Sequence, residues 1–201
     1  PQSLILAGHL VPGLGTERDI AINAMNAVLG GSFNARINMN LREEKGWAYG
    51  ARTMLLGARG LRPFLVYAPV QTDRTGDSIA ELIMELERIR SSRPVEASEM
   101  RRVIAGLTRE LPGRYETAGA VLASMLDSAT YGLPLDYPSG LAERYEALSL
   151  SDLQEETKIV RPESMLWLVV GDLSKIRDQI EALDIATIET WDANGDTVNE
   201  E

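Results

Sequence analysis

The sequence predicts an α+β fold, a mostly antiparallel sheet with helices packed on one face. Three observations predict it. Strand-like runs follow one another directly only once, within residues 47–70. Amphipathic helical stretches cluster in the middle of the chain, and isolated apolar runs open it and stand near its end. Helices and strands segregated in this way bury their apolar surfaces when the helices lie across one side of an antiparallel sheet.

Residues 3–11 (SLILAGHLV) are apolar and bounded by Pro12-Gly13, the pattern of a buried strand. Residues 17–29 carry Ile20, Ala24, Ala27 and Val28 on one helical face and end at Gly30-Gly31. A second helix is expected over residues 32–45. Phe33, Ile37 and Leu41 recur every four residues as its buried stripe, and Gly46 is its C-terminal stop. Residues 47–56 and 61–70 read as strands, and Gly57-Ala-Arg-Gly60 between them predicts an antiparallel hairpin. Pro63 and Pro69 point to an edge position or a bulge in the second strand.

Three amphipathic helices are expected next. Their stripes are Ile79, Leu82, Ile83, Leu86 and Ile89; then, after a break at Pro94, Met100, Val103, Ile104, Leu107 and Leu111; then Val121, Leu122, Met125, Leu126 and Ala129, closed by Gly132-Leu-Pro134. Stripes this regular are expected to face the core and not a cofactor. Shorter helices are expected at 139–148 and 151–160, the second opened by a capping box in Ser151-Asp-Leu-Gln154. Residues 165–170 read as a strand ended by Gly171-Asp172, 174–183 as a last helix and 185–189 as a short strand. No repeat or linker interrupts this order, so residues 1–190 are expected to form one domain and the acidic residues 191–201 a frayed tail.

With 201 residues, 44% hydrophobic and 25% charged, the chain is long enough to bury one substantial core. A formal charge of −10 argues against nucleic acid, whose phosphates need a basic surface. The absence of cysteine excludes disulfides and thiolate chemistry, and a periplasmic or cytoplasmic location fits equally. No apolar run is long enough to span a bilayer and no signal-peptide pattern is seen. The chain starts at Pro1 directly in an apolar run, which reads as a cut through a longer polypeptide.

Few residues offer chemistry. His9 lacks further ligands at a metal-binding spacing, so it reads as a packing histidine. Glu43 and Glu44 are adjacent on a helix and point apart, which makes them a solvated helix end; Glu85, Glu87, Glu155 and Glu156 read as surface charges. The glycine pairs lack the lysine of a phosphate loop, and Trp47 and Trp167 read as strand packing. Arg42 and Tyr49 remain. A helix running to Arg42, a glycine at Gly46 and a strand holding Tyr49 would put a guanidinium and a phenol at one helix-to-strand corner, both donating toward one point. On residue chemistry alone they read first as a surface ion pair and a strand aromatic.

The surrounding segment changes that weighting. Leu29-Gly-Gly-Ser-Phe-Asn-Ala-Arg-Ile-Asn-Met-Asn-Leu-Arg-Glu-Glu-Lys-Gly-Trp-Ala-Tyr-Gly50 resembles the C-terminal-type domain of the insulinase-like metallopeptidases, the inverted-zincin family of pitrilysin and the mitochondrial processing peptidase. Tyr131-Gly-Leu-Pro-Leu-Asp-Tyr137, Leu148-Ser-Leu-Ser-Asp-Leu153 and Leu168-Val-Val-Gly-Asp172 agree in order and interval, so the resemblance runs from residue 3 to about residue 183. It implies the metallohydrolase fold shared by LuxS and the processing peptidase. It also implies zinc on another domain or subunit, one bearing H-x-x-E-H and a distant glutamate. His9 is followed by Leu-Val-Pro-Gly, so this chain alone is expected to bind no catalytic zinc and to be inactive. The same resemblance makes Arg42 and Tyr49 the catalytic pair, binding peptide and stabilising the oxyanion from across a chamber. The implied assembly is a homodimer or heterodimer, and the alternative is a catalytically inactive scaffold or peptide-binding subunit.

Overall fold

A computed structural model describes residues 2–198. Four strands form one antiparallel sheet: β1 (Gln2–Val11), β2 (Arg52–Leu55), β3 (Arg62–Gln71) and β4 (Leu166–Val170), in the order β2-β3-β1-β4. The α+β architecture is therefore as expected. The helices are α1 (Asp19–Asn26), α2 (Arg36–Asn38), α3 (Thr75–Arg88), α4 (Ala97–Arg114), α5 (Ala118–Tyr131), α6 (Leu141–Glu146), α7 (Leu150–Glu156) and α8 (Leu173–Glu181). Both α1 and α2 run on into π turns, Ala27–Gly31 and Met39–Glu44.

Strand alternation decides which sheet face is covered. Ser3, Ile5, Ala7 and Val11 of β1 and Phe64, Val66, Ala68 and Val70 of β3 point inward and are buried. Against them pack Ile22, Met25 and Leu29 of the first helix, Ile37 and Leu41 of the second, and Ile79, Leu82 and Leu86 of α3. The opposite face is also apolar. Leu4 and Leu6 lie there beside Val170 and Leu168, and Leu166 at the end of β4 is 80% exposed.

Charged side chains tie the helices to each other and to the sheet. Buried Arg62 donates to buried Asp19 at 2.6 Å, joining β3 to the start of α1. Tyr137 donates to the other Asp19 oxygen at 3.0 Å, and burial beside that carboxylate pushes its pKa up to about 12. Arg18 makes a two-pronged contact with Glu156 of α7.

Several elements differ from expectation. β3 is an interior strand, so its prolines do not mark an edge. A strand residue's N–H and C=O point to the same side, and the Pro63 carbonyl accepts from Leu56 N–H. Pro63 and Pro69, an even number of residues apart, thus turn their missing donors toward β2, one at each end of its four-residue pairing. A bulge is present, but on the facing stretch and not in β3 itself. Arg52 pairs with Tyr67 but Ala48 bridges Val70, so residues 48–52 carry one more residue than the stretch of β3 they oppose.

The second helix starts at Arg36, not at residue 32, because Ser32 and Ala35 are extended; Phe33 stands outside it and is 60% exposed. The α5 stripe does not face the core. Val121, Leu122, Met125 and Leu126 are 43–58% exposed. The capping box near residue 150 belongs to Ser149 and Asp152, two residues earlier than expected. Glu85 and Glu156 are buried, not surface charges. No strand forms at 185–189. Trp191 bridges Thr197 around a turn, and residues 199–201 of the expected tail lie outside the described residues.

His9 packs against Phe64 with ring centroids 5.4 Å apart. Its Nδ1 lies 3.2 Å from the Leu10 carbonyl and its Nε2 accepts from Arg161 N–H at 3.1 Å, a pair of contacts that one neutral tautomer satisfies. Burial lowers its pKa below 6.5. Protonation would also set Nε2–H against the Arg161 donor. Well above pH 6.5 the ring is neutral in folded and unfolded chain alike. As pH falls from there toward the lowered folded value, the unfolded chain takes the proton first and stability declines. His9→Gln is expected to flatten that part of the profile, read as the urea midpoint from pH 7.5 downward; parallel profiles for the two proteins would contradict it.

Candidate functional site

The site is built where the second helix turns into the bulged edge of the sheet. Arg36 anchors the start of this unit: its guanidinium bonds both Glu99 oxygens and the carbonyls of Arg93 and Pro94. Burial would raise the Glu99 pKa, but the Arg36 hydrogen bond and a backbone donor from Glu96 outweigh it and hold it below the usual carboxylate value. Further along, Asn40 donates to Glu81 and Glu85 of α3, and Lys45 pairs with Glu81 at 2.9 Å. The π turn carrying Arg42 is thereby fixed from both ends, and single π turns of this kind are frequent at functional sites.

Gly46 then reverses the chain with φ of +67°, a left-handed conformation that a side chain would disfavour. Trp47 and Ala48 N–H groups both donate to the Leu41 carbonyl, and Gln71 N–H donates to Trp47. Lys45 and Arg74 lie over the Trp47 ring, 5.1 and 5.6 Å from its centre, so this tryptophan packs outside a strand. Tyr49 follows inside the bulge and is 83% exposed.

One buried side chain joins both sides of the corner. Asn38 donates from its amide nitrogen to the Phe33 carbonyl at 2.8 Å, and its oxygen accepts from Ala51 N–H at 3.1 Å. The loop before the helix and the bulge after it are thus held by the same carboxamide. A second close contact sets their spacing: a Cβ on Gly30 would lie 2.6 Å from Thr53 N, so the end of the first π turn presses directly on β2.

The structure therefore brings Arg42 and Tyr49 together. The Arg42 guanidinium carbon lies 5.5 Å from the Tyr49 ring centre and 4.8 Å from that of Phe33, and its Nε contacts Glu43 Oε1 at 3.2 Å. Tyr49 stands open to solvent and the Arg42 side chain beside it is partly exposed, both on a backbone held by buried polar contacts. Such a pair can donate to a carbonyl oxygen, and more strongly to one that carries charge. Phe33 and Asn38 were not visible as site residues in the sequence. Phe33 falls on the apolar stripe, and the only trace of Asn38 is an amide beside Ile37 in a stretch otherwise set to be buried.

Residues 1–107 match the family described as the peptidase M16 inactive domain. No curated protein matches the chain at a significant level. Solved structures share the fold, among them these three. The peptidase M16 inactive domain from Pseudomonas fluorescens is 18% identical with a TM-score of 0.72, covering 84% of this chain and 40% of that one. A protease from Helicobacter pylori is 15% identical with a TM-score of 0.76, covering 85% and 41%. The inactive peptidase domain of a provisionally assigned zinc protease from Bordetella parapertussis is 14% identical with a TM-score of 0.72, covering 85% and 91%. The chain thus spans about two fifths of the length of the first two.

Replacing Asn38 by alanine would leave the Ala51 N–H and the Phe33 carbonyl without their partner. The expected loss is about 1–3 kcal/mol for each buried group left unsatisfied, read by urea denaturation. Faster amide exchange should be confined to Ala51 and its neighbours at first. Exchange unchanged at Ala51 would show that Asn38 does not hold the bulge.

Proposed function

Because this chain belongs to the peptidase M16 inactive-domain family, we propose that it is the unit of a zinc-dependent peptidase that closes the peptide chamber and lends Arg42 and Tyr49 to a reaction centred on a companion unit. The observation that carries this reading is the placement of the pair. Tyr49, 83% exposed, and Arg42, its side chain 34% exposed, stand side by side on a backbone held by buried polar contacts.

This chain's own residues do not fit a catalytic metal. Its single histidine is committed to Leu10 and Arg161. Among the described residues, no three His, Asp or Glu side chains gather to hold an ion. The contribution is to the substrate. When a peptide carbonyl is attacked, negative charge collects on its oxygen, and a donor already in place stabilises that charge without reorganising. Tyr49 O–H is that donor. Arg42, a planar charged fork, holds the substrate backbone or assists the same oxygen.

The unpartnered apolar surfaces support a companion unit. On the outer sheet face Leu166, Leu168 and Val170, and along α5 Val121, Leu122, Met125 and Leu126, leave large apolar side chains exposed in groups, the kind of surface that marks an interaction site. The companion, carrying H-x-x-E-H, comes from the same longer chain, a second chain or a dimer mate. Among the described residues no helix is long and apolar enough to cross a membrane.

In the assembled peptidase, Tyr49→Phe is expected to lower kcat by about 10²–10³, the usual cost of one oxyanion donor. KM and the assembly itself should change little. Cleavage of a fluorogenic peptide gives the rate and analytical ultracentrifugation the assembly. Unchanged turnover in an intact assembly would remove Tyr49 from the reaction.

A further inference from the structure

We infer that Phe33 is a third functional residue of this site, a positioning residue that holds the Arg42 guanidinium by a cation–π contact. The inference rests on the reading above and deepens it. Phe33 is an apolar ring that the fold leaves 60% exposed, so packing in the core is not its role. Its backbone is nonetheless held in place, because its carbonyl accepts from buried Asn38 and Ser32 before it donates to the Ala27 carbonyl at 2.9 Å. The ring it presents lies under the Arg42 guanidinium at 4.8 Å, closer than the Tyr49 ring at 5.5 Å.

Both distances fall within the range at which a ring face attracts a cation. An arginine on a long stem with several rotatable bonds would otherwise sweep a wide arc from its turn. Phe33 restricts it without using its hydrogen-bond donors. Glu43 takes the Nε side, so the outer N–H groups stay available to a peptide. A carboxylate partner in place of Phe33 would hold the arginine as well, but would occupy the donors that the site needs. An aromatic face fixes the charge and leaves its edge free.

The distinguishing experiment replaces Phe33 by phenylalanines of increasing ring fluorination in the assembled peptidase. Fluorine drains the ring's negative face while keeping its shape. A graded fall in kcat/KM is expected, reaching about two- to five-fold, the rate equivalent of an exposed cation–π contact. Phe33→Leu should show the full loss and Phe33→Trp should restore activity. In the 201-residue chain itself, the ring current should displace the Arg42 Nε–H proton resonance upfield, and Phe33→Leu should reduce that displacement to the part the Tyr49 ring contributes. A flat fluorination series alongside a slow Tyr49→Phe enzyme would overturn the role of Phe33 and leave the proposed function standing. Full activity in Tyr49→Phe would instead overturn the proposed function. Full activity in Phe33→Leu would reduce Phe33 to an apolar contact and refute the inference.

Discussion

The corner that presents Arg42 and Tyr49 depends on one buried carboxamide. Asn38 spans two backbone excursions, the loop at Phe33 and the bulge at Ala51, neither of which can satisfy its own hydrogen bonds within a helix or a ladder. A buried amide that both donates and accepts fixes their separation as well as their energy. An apolar side chain of the same size would fill the space and leave both groups unpaired.

Around this corner the fold repeats the same device with charge. Arg36 with Glu99, Arg62 with Asp19 and Arg18 with Glu156 each link elements far apart in sequence. Arg62–Asp19 and Arg36–Glu99 are the most enclosed of these. Breaking a buried pair by removing one partner leaves a charge without compensation, which makes such pairs costly to lose even where they add little net stability. They determine which helix sits where on the sheet. Arg36 and Asn40 in particular hold the second helix at two points, and the π turn between and beyond them has little freedom to re-aim Arg42.

The site is rigid below and open above, while the apolar surfaces elsewhere remain uncovered. Exposed leucines stand on β4, the sheet edge opposite β2, and along α5.

Much of this was legible in the sequence. Apolar runs bounded by turn residues located all four strands, and stripes at spacings of three and four located the long helices within a few residues, because burial of one helix face imposes that period locally. The segment around Arg42 and Tyr49 could be singled out because its glycine stop and its resemblance are written in consecutive residues. Which face of each element would find a partner was not legible. Val121, Leu122, Met125 and Leu126 have the same periodicity as the buried stripe of α3, yet only the latter meets the sheet. Phe33 reads as core and is exposed; Glu85 and Glu156 read as surface and are buried. The interior position of β3 depends on β1 and β4, which come from opposite ends of the chain. The sequence alone determined the elements and the residues at the corner, since these follow from neighbours along the chain. Only the tertiary structure decided burial, strand order and the joint hold of Asn38 and Phe33 on the site, because those depend on contacts between segments whose spacing in sequence carries no record of their meeting.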